Sequence, residues 1–294
     1  MAAMNLHDFL ARAPIVADGA WGTELQKRGL GLGECPDQWN LSHPDEVGEV
    51  AQSYCDAGSR VILTNTFRAN AISLAAHGLA GRVIEINRTG VLISKKAAAS
   101  SSSAVFASIG PSGKMLASQD VTEEELFAAF AVQAGALAAG GADALLLETF
   151  SELEEALIAL RAAKNTGLPV IVSFAFDSGK NKDRTMMGVT PERAAQAMSD
   201  AGADAVGANC GVGIEQLTGV CRRMRAVTDL PLWMKPNAGL PVVTDGVIEY
   251  RTTPDEFAAS IPLLRDAGAT FVGGCCGTNP EFIRASAARL GSCG

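Results

Sequence analysis

Four stretches of the chain repeat one phrase: DAGSRVILTNTF (56–67), AGGADALLLETF (139–150), DAGADAVGANCG (200–211) and DAGATFVGGCCG (266–277). Each opens on a glycine that suits the end of a helix. Each then runs through a short apolar stretch into polar or thiol residues. The glycines at 58, 141, 202 and 268 fall roughly 60 to 80 residues apart, about two strand–helix units each. Four further apolar stretches lie between and before them: PIVADGA (14–20), AVFASIG (104–110), PVIVSFAF (169–176) and PLWMKPNA (231–238). Eight apolar strands alternating with helical stretches specify a parallel sheet, and eight is the number that closes a (β/α)8 barrel. The expectation is an α/β TIM barrel forming one domain over residues 1–294. A doubly wound open sheet is the competing arrangement, but no GxGxxG follows the first strand.

The helical stretches carry their own punctuation. TEEELFAAFAVQAGALAAG (122–140) pairs Thr122 with Glu125 as a capping box, and SELEEALIALRAAKN (151–165) offers the same pattern with Ser151 and Glu154. Pro191, Pro254 and Pro280 each follow a Thr or Asn, the order expected at a helix start. Pro262 falls inside the last long helix and is a candidate kink.

Composition excludes several classes. There are 32 acidic against 24 basic residues and no run of Lys or Arg, so nucleic acid is not an expected partner. No apolar run approaches the ~18 residues of a membrane span. The N-terminus places His7, Asp8 and Arg12 where a signal peptide needs an apolar segment. The expected location is the cytoplasm, where cysteines serve as thiols, ligands or nucleophiles rather than disulfides.

In a barrel of this kind the C-terminal strand ends converge on one mouth. Here they are Asp18-Gly19, Asn65-Thr66, Ser108, Glu148-Thr149, Asp177, Asn209-Cys210, Lys235-Pro236-Asn237 and Cys275-Cys276. Cys210 ends the sixth strand and Cys275 and Cys276 end the eighth. Three thiolates suit zinc, and none of His7, His43 and His77 falls at a strand end to close the set, so a fourth position stays open, as in catalytic zinc sites. Adjacent cysteines can serve one ion only if the backbone leaves regular pleat, which the flanking glycines permit. A strained vicinal disulfide is the alternative. Cys35, Cys55, Cys221 and Cys293 read as ordinary small apolar residues.

The set DGAWGTELQKRG, ILTNTFRAN, IGPSGKML, LLLETF, GANCG, KPNAGLP and GGCCGTNPEF resembles the homocysteine S-methyltransferase family, from about residue 14 to 290. KPNAGLP and GGCCGT are most like the homocysteine-binding module of cobalamin-dependent methionine synthase, standing alone. The resemblance implies a zinc-dependent transferase that methylates the thiol of L-homocysteine to methionine, with Zn2+ on Cys210, Cys275 and Cys276. It implies Asp18 and Glu148 for the substrate ammonium, and Asn237 at the zinc's fourth position when substrate is absent. The backbone of Gly19 and Ala20 is the candidate contact for the substrate carboxylate. Asn65, Thr66 and Asn209 are candidates to orient the site, and Trp21 and Trp39 to line or pack beside the mouth. For Asp18 a competing role is to cap the helix that follows; for Lys235, which could approach the substrate carboxylate, it is solvation at a strand end. The methyl donor is read as a methyl-corrinoid carried by a separate protein. The alternatives are S-methylmethionine, S-adenosylmethionine, betaine or another methyl sulfonium, and a zinc or thiol protein without catalysis.

Overall fold

A computed structural model describes residues 9–10, 13–101, 103–244 and 247–291, without the side chains of 242–248. Ten strands occur among them: β1 (Ile15–Val16), β2 (Val61–Ile62), β3 (Ala104–Ile109), β4 (Ala144–Phe150), β5 (Val170–Phe174), β6 (Ala205–Asn209), β7 (Leu232–Lys235), β8 (Val242–Thr244), β9 (Val247–Glu249) and β10 (Phe271–Val272). Eight of them form one parallel sheet in the order β1-β10-β7-β6-β5-β4-β3-β2. A parallel bridge between Ala17 and Val61 brings its two edges together. The fold is a (β/α)8 TIM barrel, and β10 is its eighth stave.

Alternation along each strand builds two cores. Side chains pointing inward, among them Phe106, Leu146, Ile171, Trp233 and Phe271, fill the barrel. Those pointing outward, such as Leu145, Leu147, Val172 and Met234, pack under the helices. Phe106, Trp233 and Phe271 meet with ring centroids 5.2–6.0 Å apart and form an apolar plug. Inward residues repeat every second position, so the next layer toward the C-terminal ends is Ser108, Glu148, Ser173, Asn209 and Lys235. A polar layer thus lies directly on an aromatic one, and water is excluded from beneath it.

The four repeated glycines, Gly58, Gly141, Gly202 and Gly268, all have positive φ, as the repeat requires. Thr122 and Thr253 form complete capping boxes, and Thr190 caps its helix through the Arg193 N–H. The Ser151–Glu154 box does not form. That helix, Leu153–Lys164, starts two residues after Ser151 with Glu152 at its N-cap and no side-chain cap. Glu152 and Glu155 instead accept hydrogen bonds from Leu116 and Ser112 of the neighbouring loop. The Pro254–Asp266 helix runs on through Pro262. An element the sequence reading did not contain is the antiparallel β8–β9 hairpin after β7.

Candidate active site

The three thiols come together because the chain beyond β7 is a spine with a cysteine loop bonded to each side. On one side Cys210 N–H donates to Lys235 O at 3.1 Å and Asn237 N–H to Val212 O at 2.9 Å. On the other, Cys275 N–H donates to Pro236 O at 2.7 Å and Ala238 N–H to Cys276 O at 2.9 Å. Strand pairing in β10 ends at Val272, so Cys275 and Cys276 sit on a turn closed by Thr278 N–H to Cys275 O. Neighbouring residues on a turn can face one point, which answers how adjacent cysteines serve together. A side chain at Gly274 would lie 2.4 Å from the Thr278 hydroxyl, so this turn needs glycine. Cys210 itself has φ +62.

The three Sγ atoms lie within 4.8 Å of one another, and Cys210 Sγ is 3.6 Å from Cys276 Sγ. A tetrahedral site with Zn–S near 2.3 Å has sulfurs about 3.8 Å apart, so the donor set fits zinc in number, softness and spacing. Cys275 and Cys276 are free thiols, not a vicinal disulfide. Hydrogen bonds among the sulfurs act in both directions on their acidity. With burial and mutual repulsion the net result pushes Cys210 up to about 11 and Cys276 up to about 12, and raises Cys275 as well. A bound dication reverses that order, because a coordinating thiol is deprotonated outright.

The thiols open on a cavity of about 440 Å³ lined by Gly19, Ala20, Trp21, Asn65, Arg68, Ser108, Glu148, Lys235 and others. Glu148 accepts a short hydrogen bond from the Ser108 hydroxyl. Burial raises its carboxyl, against the lowering pull of Lys235 and Ser108. Asp18 is fully buried, outside the cavity lining. Lys235 Nζ donates to its Oδ1 at 2.6 Å; Trp21 Nε1 and Leu63 N–H each donate to Oδ2 at 2.7 Å. Asp18 therefore does not cap the Gly22–Lys27 helix, which has no side-chain cap. Lys235 is not a solvated strand-end lysine either: it is 2% exposed.

Gly19 and Ala20 line the cavity, and the Ala20 N–H is engaged by Thr278 Oγ1 at 3.2 Å. Asn237 is buried beside the thiol loops, outside the lining, and its Oδ1 has no partner among the described residues. Asp177 also lies outside the lining. Asn209 ties the mouth together: it exchanges hydrogen bonds with Thr149, accepts from Ser173 Oγ at 2.6 Å and reaches Cys275 Sγ at 3.9 Å. Asn65 donates to Pro36 O, and Thr66 to Ser108 O. Trp39 stacks on His43, away from the cavity. Cys35, Cys55 and Cys221 are buried thiols away from the trio, as the sequence implied, and Cys293 lies outside the described residues.

Three contributors were not singled out in the sequence. Tyr250 follows the hairpin and lays its ring on Gly277, where an added Cβ would be 2.2 Å from the ring. Burial and the nearby thiols push its phenol up to about 12. Asp37 and Arg68 flank the cavity, the Arg68 N–H donating to Asp37 Oδ1 at 3.0 Å. Arg68 stands within the quoted ILTNTFRAN, its one available signal. The hairpin before Tyr250 has a signal, Asp245-Gly246 between apolar runs, but nothing local directs the Tyr250 ring to Gly277.

The sequence profile of Homocysteine S-methyltransferase matches residues 15–290. Methionine synthase of Mycobacterium tuberculosis is 31% identical over 301 residues, and that of Mycobacterium leprae 30% over 304. These matches cover 97% and 98% of this chain and 25% of each of those proteins, so the chain spans about a quarter of their length. The metallated form of the homocysteine methyltransferase MmuM from Escherichia coli superposes with a TM-score of 0.81 at 25% identity, covering 97% of this chain and 99% of that one.

Proposed function

Since the chain belongs to the homocysteine S-methyltransferase family, we propose that this barrel methylates the thiol of L-homocysteine to give methionine, with a methyl-corrinoid as donor. The observation that carries the reading is the trio of Cys210, Cys275 and Cys276 gathered at the edge of a cavity of about 440 Å³. Cys210, Cys275 and Cys276 would hold zinc, which would supply a positive charge that keeps a substrate sulfur as thiolate at neutral pH.

The chain's own residues do the rest. The substrate ammonium lies at the acidic end, at Glu148 with Asp18 behind it, and the carboxylate lies against the Gly19–Ala20 backbone. Asn209 and Thr149 hold the loops that carry Cys275 and Glu148. Asn237, whose Oδ1 has no partner among the described residues, would offer an acceptor beside the thiols when substrate is absent. The apolar plug of Phe106, Trp233 and Phe271 closes the barrel below the polar layer. The sulfur–carbon bond then forms as the methyl group leaves its donor, whose bonding electron pair stays with the departing group.

A corrinoid donor is supported by the likeness to methionine synthases. A second reading keeps the acceptor and takes a small methyl sulfonium or betaine as donor; a barrel matched over 99% of the homocysteine methyltransferase MmuM favours a donor that needs no further module. Reduced protein with zinc and homocysteine is incubated with methylcobalamin, S-methylmethionine, S-adenosylmethionine or betaine in turn, and methionine is measured by mass spectrometry. Methionine from methylcobalamin is expected. Formation from a sulfonium or betaine alone overturns the donor assignment, and formation from none of them overturns the methyl-transfer reading. No helix among the described residues is long and apolar enough to cross a membrane.

A further inference from the structure

We propose that Arg68 anchors the methyl donor, holding an oxyanion of that donor, a carboxylate or a phosphate, beside the thiol cavity. The assignment to the donor rests on the methyl-transfer reading above.

Arg68 stands where two cavities share a wall. The larger, of about 440 Å³, is lined by the thiols, Glu148 and the Gly19–Ala20 backbone. The smaller, of about 260 Å³, is lined by Cys35, Ser73 and His77 and by none of those groups. Pro36, Asp37 and Arg68 line both. Two cations line the larger cavity. Lys235 is spent on Asp18 at 2.6 Å. The Arg68 side chain is exposed, and among the described residues its guanidinium makes no hydrogen bond or ion pair; its one bond to Asp37 comes from the main-chain N–H. The acids nearby are committed elsewhere. Asp37 is 2% exposed, with Oδ1 on the Arg68 N–H at 3.0 Å and Oδ2 on the Cys35 thiol at 3.8 Å. Glu34 Oε2 accepts from Gly31 N–H and Trp39 Nε1, each at 3.3 Å.

The base of this arginine is fixed. Gly110 N–H donates to Phe67 O at 2.7 Å, Gln133 Nε2 to Thr66 O at 2.8 Å and Asn87 Nδ2 to Ala69 O at 2.8 Å. All of these bonds run through the main chain of residues 66–69, so a substitution at Arg68 leaves them in place and changes the guanidinium alone. A guanidinium forks onto two oxygens of a carboxylate or phosphate. Each donor weighed above carries one: S-methylmethionine, S-adenosylmethionine and betaine a carboxylate, methylcobalamin the phosphate of its nucleotide loop. An oxyanion held at the shared wall leaves the methyl-bearing end of the donor to the thiol side.

The test is calorimetric binding to reduced, zinc-loaded protein without homocysteine, so that no methyl group is transferred. Two pairs are compared, each differing by the oxyanion: dimethylsulfonioacetate with trimethylsulfonium, and methylcobalamin with methylcobinamide. Wild type should bind the oxyanion-bearing member of one pair about tenfold more tightly, the worth of one charge-assisted hydrogen bond at a partly open site. The pair that shows the preference tells carboxylate from phosphate. Arg68→Met should abolish it and Arg68→Lys keep part of it, while the affinity for homocysteine stays at the wild-type value in both. Wild type without a preference in either pair, or a preference that survives in Arg68→Met, overturns the proposal. A matching loss of homocysteine affinity in Arg68→Met assigns the arginine to the acceptor and overturns it too. An Arg68-dependent preference in a protein that forms no methionine from any donor overturns the methyl-transfer reading and leaves the oxyanion site standing.

Discussion

Asp37 offers a test in which the magnitude follows from burial alone. It sits in the Pro36–Gln38 turn beside the cavity, 2% exposed, with Oδ1 accepting from the Arg68 N–H. Burial raises its carboxyl from 3.8 to about 6, the Arg68 N–H acting weakly the other way. In the unfolded chain it ionises near its ordinary value. Below about pH 4 both states hold the proton and nothing is lost. Between about pH 4 and 6 the unfolded chain releases the proton first, so stability falls as pH rises. Above 6 the full penalty is present. A gap of about two pH units corresponds to about 3 kcal/mol. Asp37→Asn keeps an oxygen for the Arg68 N–H and removes the charge. Its stability relative to wild type should therefore climb by about 3 kcal/mol between pH 4 and pH 7. Urea unfolding followed by tryptophan fluorescence at pH 4, 5, 6 and 7 measures this. Parallel stability curves for the two proteins would refute the reasoning, as would an Asn variant that loses ground with rising pH. A carboxylate held at such a cost on a cavity wall is also where added stability should come with lost activity.

Cys210→Ser should drop bound zinc well below one per chain by elemental analysis while leaving the circular dichroism unchanged; full zinc retention would remove Cys210 from the ligand set. Chelation of wild type should abolish methionine formation and added zinc restore it, and activity surviving chelation would contradict a zinc role. Thr253→Ala should cost about 1 kcal/mol in urea unfolding. Ser151→Ala should stay within about 0.5 kcal/mol because its capping box does not form; equal losses would contradict the observed helix start. Gly277→Ala combines a left-handed position at φ +82 with a clash against Tyr250, and should destabilise by at least about 2 kcal/mol.

The barrel was legible because its signals are local and repeated. A glycine closes each helix in the fourfold phrase, and Thr-Pro opens two of the helices, so each unit declares its own ends. The thiol trio was legible because strand ends in a closed barrel share one mouth, which turns sequence order into proximity. What was not legible depends on contacts between distant strands. Nothing local tells that Lys235 points inward to Asp18, 217 residues away. Ser151 and Glu154 have the letters of a capping box, yet the helix begins later, because Glu152 and Glu155 hold the Ser112–Leu116 loop. Tyr250 was missed because the thiols it approaches come from two other loops.

Several departures from ordinary local structure gather at the end of the barrel that holds the thiols. Thr149 has φ +66, which is rare for a β-branched residue. It is held there by Asn209, whose amide donates to Thr149 Oγ1 at 2.7 Å and accepts from Thr149 N–H at 3.0 Å. The pairing of β4 with β5 shifts register between Leu147 and Phe150, across Glu148. The same end holds the left-handed Cys210, the buried Lys235, the raised Asp37 and the unpartnered Asn237 Oδ1. A strained position persists only where its surroundings over-determine it. Asn209 supplies that constraint to Thr149 and, at 3.9 Å, reaches Cys275. One amide thus sets both the bulge that carries the acidic wall and a thiol of the trio, so the two halves of the site are positioned by the same residue.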